Sequence, residues 1–206
     1  IGSFGDIVCF SFDGIKNITS GEGGCIVTSN LDVLQKIKDS RLLGVQKDSD
    51  KRYSGERSWR FDVTAQGWRF HMSNIMAAIG IAQLARFQEL ASKRKSLAKE
   101  YDETLSRSDK VVPLQHDYSE VVPHIYVIKL TAQVDRDAVQ RLMLEENIQT
   151  GVHYQPNHWL SYYHTDDQSE MEVDSQYAKL LSLPLHPDLT KEDVSRVSSK
   201  LLEIIS

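Results

Sequence analysis

The chain has 206 residues, enough for one ordinary domain or two small ones, and its 40% apolar and 26% charged residues are those of a globular protein. Its 24 basic and 29 acidic side chains leave a formal charge of −5, which argues against nucleic acid or an anionic membrane as partner, since both call for basic patches. No apolar run reaches the length of a bilayer span, no Cys/His set has zinc spacing, and Cys9 and Cys25, each in an apolar strand-like run, read as small buried hydrophobes rather than a disulfide.

In chain order, residues 6–12 and 25–28 read as short apolar strands, with Gly23 and Gly24 supplying the freedom to turn between them. Leu31 to Leu43 carries Leu34, Ile37 and Leu42 at helical spacing, with Asn30 placed to cap the start. Residues 46–66 are crowded with charge and lack periodicity, which reads as a long loop, either solvated or covering a site; Tyr53, Trp59 and Phe61 suggest an ordered segment packed on a partner subunit. A single long helix is expected over about 73–105, capped by Ser73, apolar on nearly all sides in its first half and striped by Phe87, Leu90, Leu97, Tyr101 and Leu105 in its second. Lys93, Arg94, Lys95, Lys99 and Glu100 fall on its polar remainder.

The rest reads as a smaller α/β lobe. Strands are expected at Val111–Leu114, His124–Leu130, Thr150–Tyr154 and Ser182–Leu185. Helices are expected after Asp135, ending near Asn147, and after Thr190, with Val194, Val197, Leu201 and Ile205 on one side. The expected division is 1–88 and 89–206, joined by the long helix.

Lys16 is the residue with chemical promise. It follows Phe10-Ser11-Phe12 and precedes Gly21-Glu22-Gly23-Gly24, so a strand ends, offers an amine, and returns through a glycine turn. A lysine alone is most often a solvated surface charge. An unprotonated amine, however, is a nucleophile that condenses with a carbonyl. The run Phe10-Ser11-Phe12-x-x-x-Lys16-x-x-x-x-Gly21-Glu22-Gly23-Gly24 resembles the cofactor-lysine motif of the DegT/DnrJ/EryC1/StrS family of pyridoxal-phosphate sugar aminotransferases. Gly67 to Leu84, Gly151 to His158 and Leu181 to Thr190 resemble further blocks of that family, in family order.

The resemblance implies an α/β fold of the type I PLP-dependent transferases (aspartate aminotransferase-like), here the C-terminal part of the large domain followed by a small α+β domain. It implies pyridoxal 5'-phosphate as cofactor, with Lys16 as its covalent anchor and as the catalytic base, and Ser11 and Arg69 on its phosphate. Family members commonly place Asn at the position of Arg69 and Arg at that of His71. His153, Tyr154 and His158 are implied at the active-site mouth, against a nucleotide-linked keto sugar. Glutamate is the implied amino donor, a cytoplasmic homodimer the implied assembly, and no metal is expected. Ile1 reads as the middle of a domain, so a preceding segment of the same polypeptide is expected to supply the other cofactor contacts. Two alternatives stand beside this reading. One is a non-catalytic fragment, scaffold or unrelated α/β binding module. The other is a dehydrating relative, against which Lys16 argues, since that branch carries histidine in its place.

Overall fold

The computed structural model describes residues 5–46, 61–164 and 172–206. It comprises two compact units, Ile1–Phe87 and Gln88–Ser206. Tyr53, Trp59 and most of the loop expected over 46–66 lie outside the described residues, and Phe61 is exposed.

The first unit begins with an antiparallel ribbon of β1 (Val8–Ser11) and β2 (Gly24–Val27), in register from Val8↔Val27 to Ser11↔Gly24. α1 (Leu31–Ser40) is capped as its sequence predicts: the Asn30 side chain accepts the N–H groups of Asp32 and Val33 at 3.0 and 3.1 Å. The chain then turns through Leu43 and Gly44, both at positive φ, and residues 63–70 return alongside 40–45. A Cβ on Gly67 would lie 1.9 Å from the Gly44 nitrogen, so the two backbones touch and no side chain fits at Gly67. α2 (Asn74–Ala85) follows, with Ser73 Oγ accepting the Met76 N–H.

Cys9 and Cys25, expected as buried residues, are exposed in this chain, and α2, apolar on all sides, has no buried residue among its own contacts, Ile75 being 76% exposed. Apolar sequence creates a demand for cover; cover itself comes from whatever packs on the surface, and a two-stranded ribbon has no further strands to supply it. The ribbon register pairs Cys9 with Ile26 and Cys25 with Phe10, which sends the two thiols to opposite faces.

The helical run expected over 73–105 is divided. α2 ends at Ala85, the Arg86 backbone leaves helical geometry (ψ 0) to donate to Gln83 O, and α3 (Phe87–Leu105) starts afresh.

The second unit holds a core. Its sheet has the order β3-β4-β5, all antiparallel: Val111–Pro113, Tyr126–Leu130 and Leu180–Leu183. The register sets Val111 opposite Leu130, Leu181 opposite Ile128 and Leu183 opposite Tyr126, so one face collects the buried residues. Onto them pack Leu97, Tyr101 and Leu105 of α3, Val139 and Met143 of α4 (Arg136–Glu145), and Val194, Val197, Leu201 and Ile205 of α6 (Lys191–Ile205). Between α4 and α6 lie a 3₁₀ turn (Asn157–Trp159) and the short α5 (Glu172–Tyr177), which the sequence reading did not anticipate. Tyr101 stacks on Tyr126 at 4.6 Å, the Tyr126 hydroxyl donates to Asp102 at 2.6 Å, and that of Tyr101 donates to Pro184 O. Burial pushes both hydroxyls, and that of Tyr118, well above the ordinary tyrosine range, with Asp102 adding for Tyr118 and Tyr126 and Asp193 for Tyr101. The strand expected over 150–154 reduces to a single bridge, Gly151↔Ser182, because His153 turns its ring onto Gly151 and Ser182 instead of continuing the ladder.

α6 opens on a capping box: Thr190 Oγ1 accepts the Asp193 N–H at 3.1 Å and Asp193 accepts the Thr190 N–H at 2.9 Å. Thr190→Ala should destabilise the unit by about 1 kcal/mol, read as faster hydrogen exchange of the first α6 amides. The bonds from Thr190 hold the Asp193 carboxyl below its ordinary pKa. Its contribution is therefore complete above the ordinary carboxylate value and disappears as pH falls through the lowered one. Equal exchange in the variant and wild type at neutral pH would remove the cap from the account.

Candidate active site

Lys16 lies on a tight loop between β1 and β2. Asp13 Oδ1 accepts the Ile15 N–H at 3.1 Å and Asp13 O accepts that of Lys16 at 3.1 Å, which folds the chain into a turn just before the amine. The base of the loop is closed by main chain: Phe12 O accepts the Ser20 N–H at 2.9 Å, and Phe12 N–H donates to Gly23 O at 2.8 Å. Phe12 O also accepts the Thr19 hydroxyl, and Thr19 Oγ1 accepts the Gly21 N–H at 2.8 Å. Lys16 itself is half-buried, not enclosed as a lysine between buried strands would be. Ser11, at the end of β1, is exposed, and its Oγ accepts the Asp13 N–H at 3.4 Å.

A cavity of about 900 Å³ opens elsewhere in this unit. Cys9, Phe10, Cys25, Ile37, Trp68 and Met72 are among its lining residues; Lys16 and Ser11 are not. It is an apolar recess between the ribbon, α1 and residues 68–72, distinct from the lysine loop. Trp68 and Phe70 stack and both line it, while Arg69 between them does not and is exposed.

The other three candidates belong to the second unit. His153 is half-buried with Nδ1 2.8 Å from Ser182 Oγ. Its ring packs so closely on Gly151 that a Cβ there would lie 3.0 Å from Cε1. Tyr154 stands edge-on to His153 and is 69% exposed. His158 Nε2 lies 2.9 Å from Asp174 of α5, an ion pair whenever the imidazole is protonated. Trp159 packs edge-on against Tyr177, over which the Arg136 guanidinium sits at 4.8 Å. Sequence reasoning missed Asp174, Tyr177 and Arg136. The i, i+3 spacing of Asp174 and Tyr177 was the available signal, although six residues are too short for periodicity to register.

An amine, a hydroxyl and a guanidinium are the donor set that a phosphate-bearing carbonyl cofactor requires, and Cβ atoms at Gly14 and Gly21 of the lysine loop would meet nothing within 4 Å. The residues present therefore fit pyridoxal phosphate in kind. No group of His, Cys, Asp and Glu suited to a metal ion occurs among the described residues. No helix among them is long and apolar enough to cross a membrane.

A lysine on the loop between paired strands, followed by an α+β lobe, is compatible with the fold of the type I PLP-dependent transferases, and comparison with known proteins shows that fold. Residues 1–202 match the DegT/DnrJ/EryC1/StrS aminotransferase family, and the chain belongs to it. It is 32% identical over 214 residues to the spore coat polysaccharide biosynthesis protein SpsC of Bacillus subtilis, covering 100% of this chain and 55% of that one. Among solved structures it resembles Spr1654 from Streptococcus pneumoniae in its PMP form (26% identity, TM-score 0.88, 98% of this chain and 54% of that one). It also resembles Helicobacter pylori PseC, an aminotransferase involved in pseudoaminic acid biosynthesis (25% identity, TM-score 0.87, 98% and 53%). Spr1654 is also known in a PLP form. The chain spans about half the length of these relatives.

Proposed function

We propose that this chain carries the lysine of a pyridoxal-phosphate aminotransferase that places an amino group on a nucleotide-linked keto sugar, with glutamate as donor, in the cytoplasm. The observation that carries the reading is the half-buried residue Lys16 on a loop closed at its base by main-chain bonds and followed by the family's glycine turn. When bound, pyridoxal phosphate supplies the electron sink for moving the amino group. Lys16 Nζ would hold the cofactor and, once released from it, carry a proton to and from the reacting carbon. Ser11 would donate to the phosphate through its hydroxyl, and Arg69, facing away from the cavity, would reach a phosphate across a subunit boundary. Tyr154, the most exposed of the three mouth candidates, would meet sugar or nucleotide, with His153 fixing its position from behind through Ser182. His158 would brace the same segment through Asp174.

The exposed apolar surface of the first unit supports the assembly part of this reading. Among its described residues no apolar side chain is buried, and uncovered apolar surface on that scale is a mark of surfaces made for contact. We assign its cover to further polypeptide of the same enzyme and to a second copy of the chain.

Incubation with pyridoxal phosphate, borohydride reduction and peptide mapping should place the fixed pyridoxyl group on Lys16. Label scattered over surface lysines would favour the binding-module alternative, and label on Lys16 only after the rest of the enzyme is supplied would favour the fragment reading.

A further inference from the structure

We infer that Ser20 is a positioning residue for Lys16, a role that rests on the proposed function of that lysine. Among the described residues of the first unit, Ser20 is the one side chain that is fully enclosed, at 0% exposure, while every apolar side chain around it is exposed or half-buried. The most protected place in this unit is thus given to a hydroxyl. A buried hydroxyl needs a partner, and Ser20 Oγ donates to Glu22 O at 2.7 Å. Its N–H donates to Phe12 O at 2.9 Å, the same carbonyl that receives the Thr19 hydroxyl. Ser20 therefore ties the return of the lysine loop both to the strand it left and to the glycine turn it enters.

The serine is also wedged. A Cβ placed on Gly80 of α2 would lie 3.4 Å from Ser20 Cβ, and one on Gly23 would lie 3.1 Å from Ser20 Oγ. Two glycines thus face it, one on the helix and one in the turn, and leave room for a serine and little more. The lysine loop takes its position from α2 through this contact. Thr19 shares the Phe12 carbonyl with Ser20 but is half-buried and meets neither the glycine turn at Glu22 nor α2 in the contacts described. Ser20 does not reach a cofactor: its hydroxyl is enclosed and committed to Glu22 O, so it acts through Lys16.

Ser20→Ala keeps the shape and removes the donor. Gly80→Leu pushes on the serine from the helix, whereas Gly80→Ala adds a methyl at ordinary contact distance and serves as control. Hydrogen exchange of the cofactor-free protein should show the amides of residues 16–21 opening about tenfold faster in Ser20→Ala and Gly80→Leu, as expected when a partly buried carbonyl loses its donor or the wedge is displaced. Under limiting pyridoxal phosphate, borohydride should fix about tenfold less pyridoxyl group on Lys16 in both variants. The pH midpoint of the visible band of the lysine-bound cofactor should shift in both, and Gly80→Ala should match wild type in all three readouts. If wild type is labelled at Lys16 and Ser20→Ala matches it in labelling and midpoint, the positioning role is overturned while the proposed function stands, whether or not exchange quickens. If wild type itself carries no label on Lys16, the proposed function fails and takes this role with it.

Discussion

Lys16→Ala is expected to abolish amino transfer, by roughly 10²–10⁴ at the least, the range over which a positioned proton-transfer group alone contributes. The fold should survive. Every bond described for the loop around Lys16 uses its backbone or other side chains: its N–H closes on Asp13 O, Phe12 meets Ser20 and Gly23, and Asp13 holds Ile15. Truncating a half-buried side chain at this point removes an amine and little packing, so circular dichroism and the melting temperature should stay near wild type. Lys16→Arg makes the test sharper. It preserves positive charge and reach, yet a guanidinium stays protonated and cannot condense with a carbonyl. If the amine acts covalently, the arginine variant is as inactive as the alanine variant; if Lys16 merely supplies charge to a phosphate, arginine restores much of the rate. A residual rate within tenfold of wild type in either variant, with the cofactor saturating, would remove Lys16 from its role.

What the sequence disclosed depended on how local the physics was. Asn30, Asp135 and Thr190 were legible as caps because a cap is decided by a side chain and an amide two or three residues on. The strand at Tyr126–Leu130 was legible because aromatic and β-branched residues crowd the segment. The lysine loop was legible as a spacing of strand, amine and glycines. Properties set by distant residues were not. Burial of Cys9 and Cys25 was inferred from their apolar neighbours, and in this chain both stand exposed. The pairing of His158 with Asp174 joins elements across 165–171, residues that lie outside the described ones, and no periodic signal links them. The enclosure of Ser20 was not legible either, because one serine in sequence carries no mark of it.

Arg94 is the clearest case of a signal present and misread, and it sets up the largest expected effect on stability. Grouped by its neighbours Lys93 and Lys95, it falls on the polar face of α3; by helical position it lies four residues after Leu90 and three before Leu97, on the apolar stripe. The structure buries it at 5% exposure. Its Nη1 donates to His124 O at 3.1 Å and to Leu185 O at 2.9 Å, so one guanidinium ties α3 to the segment entering β4 and the segment leaving β5. Burial lowers the guanidinium pKa from its ordinary value, the sign of a charge taken from water without full repayment. That cost is already met in the folded protein, and truncation does not simply refund it, since Arg94→Ala opens a cavity and leaves both carbonyls without their donor. An orphaned buried acceptor costs roughly 1–3 kcal/mol, so the variant should lose about 3 kcal/mol, seen as a lower urea midpoint and as faster exchange at amides of the β4–β5 ladder. Arg94→Met separates the two contributions: it fills most of the space but donates nothing, so it should recover the packing loss and keep the loss from the carbonyls. Should Arg94→Met equal or exceed wild type in stability, burying the charge would outweigh the two bonds it makes, as replacement of buried ion pairs by apolar side chains has shown can happen, and the guanidinium would be a cost carried by α3 rather than the tie that holds it.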